Sequence, residues 1–384
     1  MSRDQAIAAA MLKTRLTRIP LANPVFDEEM KEAALQVLQN ERFVLGESVF
    51  KFEQEFARYC GTKFAVSTAS GTAALMLSLI AIGVREGEVV TSPASFVASA
   101  NSIIHAGATP KFADIRLDDY TIDPAIVRTS LNEKTRAIVP VHLFGYPAAM
   151  DELCEISSEH GVAVIEDACQ AHGASYSGTK VGSMGDAGCF SFFPSKNMTV
   201  GGDGGMVVTD DDSIAESVAS LRDCGRAKGS KYLHHRVGFT ERLNTVQAAI
   251  GRVQLKRLDA WNESRKQIAT KYDKLLSDLD EVVTPPKGNT VASPVYHMYV
   301  IRCRQRDDLR AWLDRAGVET GIHYPQPIHL QPIYREMFGY GGGEFPNSET
   351  LCRDALSIPI HPGLMPDEVE FVSASIREFY NSRN

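Results

Sequence analysis

The chain has 384 residues, 44% apolar and 23% charged, with 40 basic against 48 acidic side chains and a formal charge of −8. That length allows two domains with sizeable cores. The acidic balance argues against a nucleic-acid partner while leaving room for a local basic pocket.

Residues 1–17 carry Asp4 and several basic side chains but no long apolar stretch, so no signal peptide is expected. Helical spacing runs through 26–40 and 48–59. A strand is expected at 64–67, a turn at Ser70-Gly71-Thr72 and a helix over 73–82. This apolar run is too short for a membrane span and suits a buried helix. The alternation continues with strand 88–91, helix 96–106, strand 110–114, strand 137–141, helix 150–159 and strand 162–166. Strands and helices at this spacing predict an α/β fold with a mostly parallel, doubly wound sheet. Ligands of such sheets sit at the carboxyl ends of the strands, where Asp167 and Ser70-Gly71-Thr72 fall. Gly201 to Gly205 leads into the apolar run Met206-Val207-Val208-Thr209 and reads as a hairpin-like turn. After Thr209 a charge-laced helical pattern over 246–279 reads as a spine joining two domains. Beyond it come a strand at 296–302, a helix at 307–316, a proline-rich stretch and a glycine loop at 340–344 with the composition of a mobile loop. The seven cysteines are odd in number and contain no C-x-x-C pair, which reads as reduced thiols of a cytoplasmic protein.

The chemistry concentrates around Lys196, in Ser191-Phe192-Phe193-Pro194-Ser195-Lys196-Asn197, 29 residues after Asp167. A lysine and an aspartate on consecutive strand ends are what pyridoxal phosphate requires. The amine condenses with the cofactor aldehyde, and the carboxylate keeps the pyridine nitrogen protonated. Each residue taken alone has a plainer reading: Lys196 as a solvated loop lysine, Asp167 as a helix cap, Ser70-Gly71-Thr72 as a capped helix start. Aromatic and glycine-rich flanks around Lys196 favour a desolvated amine with a lowered pKa. His142, His172 and His329 are lone histidines, a class more often structural than catalytic, and His234-His235 lacks a third ligand, so no metal site is expected.

Several stretches together resemble the DegT/DnrJ/EryC1/StrS family of sugar aminotransferases, which are fold-type I pyridoxal phosphate enzymes with the aspartate aminotransferase-like fold. They are Ser70-Gly71-Thr72-Ala73-Ala74-Leu75, the run from Val164 through Asp167 and Gln170 to Gly173, the Lys196 segment, Tyr296-His297-Met298-Tyr299-Val300, His329-Leu330-Gln331-Pro332 and the run from Leu356 to Leu364. The resemblance implies a large cofactor domain over 1–255, with an extension at 1–18, and a smaller α+β domain over 256–384 that includes the linking helix. It implies that Lys196 forms the internal aldimine and then shuttles protons, and that Asp167 pairs with the pyridine nitrogen. Gln170 and Phe96 flank the ring, and Gly71, Thr72 and Ser191 hold the phosphate. Phe43 and His329 line the substrate side. It further implies a cytoplasmic homodimer with composite sites, the partner reaching in through the segment that begins Gly238-Phe239. Thr240 stands where the family usually has a phosphate-binding asparagine. The implied substrates are L-glutamate and a keto sugar nucleotide, with Gly202-Asp203-Gly204-Gly205 favouring a 3-keto over a 4-keto sugar. Two alternatives stay open: an aminotransferase of a keto-cyclitol or keto-sugar phosphate, and a non-catalytic regulatory protein. No nucleic acid and no membrane are implied.

Overall fold

Asp27 starts the first helix, α1 (Glu28–Asn40), by accepting the Met30 N–H at 3.2 Å. The second, α2 (Glu47–Cys60), buries Val49, Phe52 and Phe56 on one face and ends at Gly61 in the left-handed region. This computed structural model describes residues 18–383, so the expected extension at 1–18 lies outside the described residues apart from Arg18.

The sheet strands and their crossovers follow. They are β1 (Phe64–Thr68), α3 (Gly71–Ala81), β2 (Glu88–Thr91), α4 (Ala98–His105), β3 (Thr109–Phe112), α5 (Pro124–Ser130), β4 (Thr135–Val139), α6 (Met150–His160) and β5 (Ala163–Asp167). After two short strands, β6 (Ser175–Tyr176) and β7 (Thr179–Lys180), come β8 (Ala187–Ser191), β9 (Gly205–Thr209) and α7 (Asp212–Leu221). The seven-stranded sheet has the order β1-β9-β8-β5-β4-β2-β3. Its β5–β8, β4–β5, β2–β4 and β2–β3 pairs are parallel, and β9 runs antiparallel to both neighbours. The glycine-rich segment before β9 is therefore no tight hairpin turn. It closes a long loop, 192–204, whose ends are pinned by the Ser191–Gly205 pairing. Helix α3 is apolar nearly all round because it lies between the sheet, α4 and α7.

The expected spine over 246–279 is two helices, α8 (Thr245–Leu255) and α9 (Leu258–Leu276). Helix α8 packs on α1 and α2, whereas α9 packs on the C-terminal helix, so one straight rod could not serve both faces. Arg257, at the break, forms ion pairs with Asp27 and Glu29 at the start of α1.

The remaining elements are β10 (Val282–Val283), β11 (Ala292–Ser293), β12 (Tyr299–Cys303), α10 (Arg306–Arg315), α11 (Pro332–Phe338), α12 (Pro346–Asp354), β13 (Ala355–Ile358) and α13 (Pro366–Asn381). Strands β10, β12 and β13 form an antiparallel sheet, with the core Tyr272, Tyr299, Leu313, Leu356, Phe371 and Phe379 beneath it. Ile19 is buried in that same core and bridges Val318 in parallel. Among the described residues, no helix is long and apolar enough to cross a membrane.

Candidate active site

The carboxyl ends of β1, β2, β5 and β8 open onto one cleft of about 400 Å³, closed on the far side by Met298, His323 and Tyr324. Gly71, Thr72, Phe96, Asp167, Gln170, Ser191 and Lys196 all line it. Seven of the ten residues singled out from sequence are thus brought together, from segments more than a hundred residues apart.

One wall is the start of α3. Ser70 caps it by accepting the Ala73 N–H at 3.1 Å, which leaves the first N–H groups of the helix without an intrahelical partner. They point their positive dipole end at the cleft beside the Thr72 and Ser191 hydroxyls, a setting suited to a phosphate. A Cβ at Gly71 would stand 2.7 Å from the Ser191 Cβ and 2.8 Å from the Cys169 Sγ, so only glycine leaves this cradle open.

Asp167 ends β5 and is buried. Its Oδ2 accepts from the Ser99 hydroxyl at 2.7 Å and its Oδ1 from the Cys169 N–H at 3.2 Å. The neighbouring Glu166 carboxylate, fully buried, accepts the N–H groups of Gly182, Met184 and Gly185 at 2.6–2.8 Å. It also lies 3.0 Å from His142 Nε2. Because His142 Nδ1 accepts the Ala148 N–H, Nε2 carries the proton and donates it to Glu166. His142 is a strut beneath the site.

Lys196 sits on the loop between β8 and β9, its backbone N–H bonded to Phe193 O at 2.9 Å. Burial pushes its amine below the ordinary lysine range, opposed by the negative charge available at Cys169 and Asp167. Such an amine is readily deprotonated and nucleophilic. Gln170 is fixed at both ends, accepting the Phe144 N–H at 3.0 Å and donating to the Tyr324 hydroxyl at 3.2 Å. Phe96 lies 5.9 Å from Tyr324 by ring centroids and leaves half its surface exposed, a free aromatic face over the cleft. His323 donates to or accepts from Ser357 Oγ at 2.8 Å, and burial lowers it to about 4, so it is neutral at pH 7.

Three expected residues lie elsewhere. His329 is fully buried against Phe345, Tyr340 and Phe112, with Nε2 3.1 Å from Glu349, and does not line the cleft. Among the described residues, His329, Glu344 and Glu349 bring potential ligand atoms within 4.8 Å of one another. The two carboxylates, however, already accept the N–H groups of Gly341, Gly342 and Gly343, which clasps the loop whose composition suggested mobility. Phe43 is exposed, its carbonyl accepting the Thr245 N–H. Thr240 is exposed on the segment after α7, paired with Asp223 and 3.5 Å from Cys224 Sγ. The loop it closes crosses itself so tightly that a Cβ at Gly225 would fall 1.8 Å from Arg236 O.

Sequence reasoning missed Ser95, Ser99, His323 and Tyr324 at the cleft, whereas Asp203 and Met298 lie in runs it had singled out. The two serines carry no motif, and Tyr324 arrives on the irregular stretch between α10 and α11.

A Lys, an Asp and an unfilled helix start converging on one cleft is the donor set that pyridoxal phosphate needs, and the sequence profile of the DegT/DnrJ/EryC1/StrS aminotransferase family matches residues 24–377. The chain belongs to that family. It is a pyridoxal-phosphate-dependent aminotransferase with the fold of those enzymes. The chain is 42% identical over 347 residues to the pleiotropic regulatory protein of Geobacillus stearothermophilus, covering 90% of this chain and 92% of that one. It is 39% identical to the dTDP-3-amino-3,4,6-trideoxy-alpha-D-glucose transaminase of Streptomyces venezuelae, over 91% and 92% of the two chains. The crystal structure of S. venezuelae DesV in complex with a ketimine intermediate superimposes with a TM-score of 0.90 at 38% identity, covering 94% of this chain and 98% of that one. In this aminotransferase family member, bound pyridoxal phosphate supplies an electron sink for the carbon that loses a proton.

Proposed function

We propose that the protein transfers the amino group of L-glutamate to a keto sugar nucleotide, a 3-keto sugar being favoured over a 4-keto one. The observation that carries the reading is the meeting of Lys196, Asp167 and the α3 start in one cleft, with Asp203 of the Gly202-Asp203-Gly204-Gly205 run at its edge. The 3-amino product in the name of the S. venezuelae relative supports the choice of carbon. The reaction balances as amino group for oxygen: glutamate leaves as 2-oxoglutarate, and the sugar carbonyl becomes an amine.

On this reading Lys196 Nζ is first a nucleophile toward the cofactor aldehyde, a role its lowered pKa suits. With the cofactor bound, the same amine would take and return the proton of the reacting carbon as general base and acid. Asp167, held by Ser99 and the Cys169 N–H, would pair with the ring nitrogen. Thr72, Ser191 and the N–H groups at Gly71 would hold the phosphate, and Phe96 and Gln170 would flank the ring.

The working unit is proposed to be a homodimer. Among the described residues, the cleft of one chain offers Lys196 as its one Lys or Arg, too few cations for a dicarboxylate or a diphosphate. The loop before Thr240 carries Arg226, Lys228, Lys231 and Arg236 and exposes Tyr232 and Val237, at 80% and 93%. In a second copy it would bring both charge and Thr240 to this cleft, and the exposed Phe43 would border the nucleotide side.

The test is the visible spectrum of the protein loaded with pyridoxal phosphate. L-Glutamate should bleach the yellow band, and a 3-keto sugar nucleotide should restore it faster than a 4-keto isomer. Lys196→Ala should hold the cofactor noncovalently and lose turnover. A band indifferent to glutamate would point to another donor, or to the regulatory role carried by the name of the Geobacillus relative. Lack of competition by free nucleoside diphosphates would favour a keto-cyclitol or sugar phosphate.

A further inference from the structure

The start of α4 and the residues just before it carry two groups to the cleft. Phe96 presents its ring, and the Ser99 N–H bonds back to Phe96 O at 3.1 Å, which fixes their spacing. Ser99 lies within α4, where a serine hydroxyl commonly folds back onto a carbonyl of its own helix. Instead it reaches across the core to Asp167 Oδ2, 68 residues away in sequence, at 2.7 Å. Ser95 Oγ stands 2.8 Å from Ser99 Oγ, and all three residues are buried.

Proton counting fixes the direction of this chain. An ionised carboxylate only accepts, so the single hydroxyl proton of Ser99 goes to Asp167. Ser99 must then accept from Ser95, giving Ser95→Ser99→Asp167. Each bond polarises the next, and a hydrogen bond to a buried carboxylate is stronger than one between neutral groups. With the Cys169 N–H on Oδ1, each carboxylate oxygen has one protein donor, which sets the plane of the group.

We propose that Ser99, backed by Ser95, is a positioning residue that orients the Asp167 carboxylate toward the pyridine nitrogen of the cofactor. The inference rests on the reading of Asp167 as the partner of that nitrogen. A serine that merely fills space would affect any ligand of the cleft alike. One that acts through Asp167 affects only a ligand with a ring nitrogen to pair.

The experiment compares dissociation constants of the apoprotein for pyridoxal phosphate and for its 1-deaza analogue, in which carbon replaces the ring nitrogen. Ser99→Ala should weaken binding of pyridoxal phosphate roughly 10- to 100-fold, the worth of one hydrogen bond to a charged group. Binding of the analogue should stay within about twofold, and Ser99→Thr, which restores a hydroxyl, should recover most of the loss. Equal losses for both ligands, or none, would overturn the inference. Asp167→Asn separates it from the reading beneath. If that substitution weakens both ligands alike, or neither, the role given to Asp167 falls. If it weakens pyridoxal phosphate selectively and Ser99→Ala does not, only the role given to Ser99 falls.

Discussion

Gly71 shows how much a single hydrogen decides here. Its backbone angles are open to any residue, but the space in front of it is not, with Ser191 and Cys169 within 3 Å of any Cβ. Gly71→Ala should therefore leave the fold standing at a cost of about 1–3 kcal/mol from overpacking. The same methyl group would intrude where the phosphate is to sit, so affinity for pyridoxal phosphate should drop at least tenfold. A fluorescence titration of the apoprotein checks both halves when paired with a urea melt. Unchanged affinity would place the phosphate elsewhere. At this scale the sequence was informative where chemistry constrains the residue type, as with Lys196 and Asp167. It was silent on Ser99, one hydroxyl among Ser92, Ser95, Ser99 and Ser102, because nothing local distinguishes the one that reaches Asp167. His329 drew attention as a histidine in an irregular run, yet its ring is spent on Glu349 and an aromatic cluster.

Elements explain where periodicity succeeds and where it stops. The alternation of strands and helices through Asp167 is legible because each strand is a short apolar run bounded by turn residues. The break between α8 and α9 is invisible to the same method, since helical spacing continues across Lys256 and Arg257 while the packing partners change. The segment linking β5 to β8 illustrates a further consequence of packing. His172 lies against Phe190 and Phe192, with centroids 5.3 and 5.8 Å away. Burial, then the positive Lys196, lowers it to about 3 from an ordinary 6.5. Between those two values the unfolded chain binds the extra proton and the folded one refuses it. Stability therefore rises with pH across the window, and is lost as pH falls from 6.5 toward 3. The slope is at most about 1.4 kcal/mol per pH unit from this one group. His172→Phe should flatten that acid limb in urea midpoints taken at pH 6.5, 5.5 and 4.5. A limb of unchanged slope would assign the acid sensitivity to other groups, such as His323.

For the whole molecule, the proposed composite site makes cofactor binding depend on assembly. Val237 is 93% exposed on the basic loop, an apolar side chain that the proposed interface would cover. Val237→Asp should shift sedimentation from dimer to monomer and weaken pyridoxal phosphate binding in parallel. A variant that remains dimeric with full affinity would remove the loop from the interface.

The threading of the chain sets the order in which its parts can be completed. Ile19 exchanges hydrogen bonds with Gly317 O and the Glu319 N–H, both at 2.9 Å, so the core under β10, β12 and β13 takes in a residue from far upstream in the chain. A ribosome delivers that residue long before its partners exist. The strands of the seven-stranded sheet are all made by Thr209, well before Gly317 and Glu319 exist. Ile19 must wait until those two residues emerge. Met298, His323 and Tyr324, which close the far side of the cleft, are thus synthesised well after the strands that carry Asp167 and Ser191.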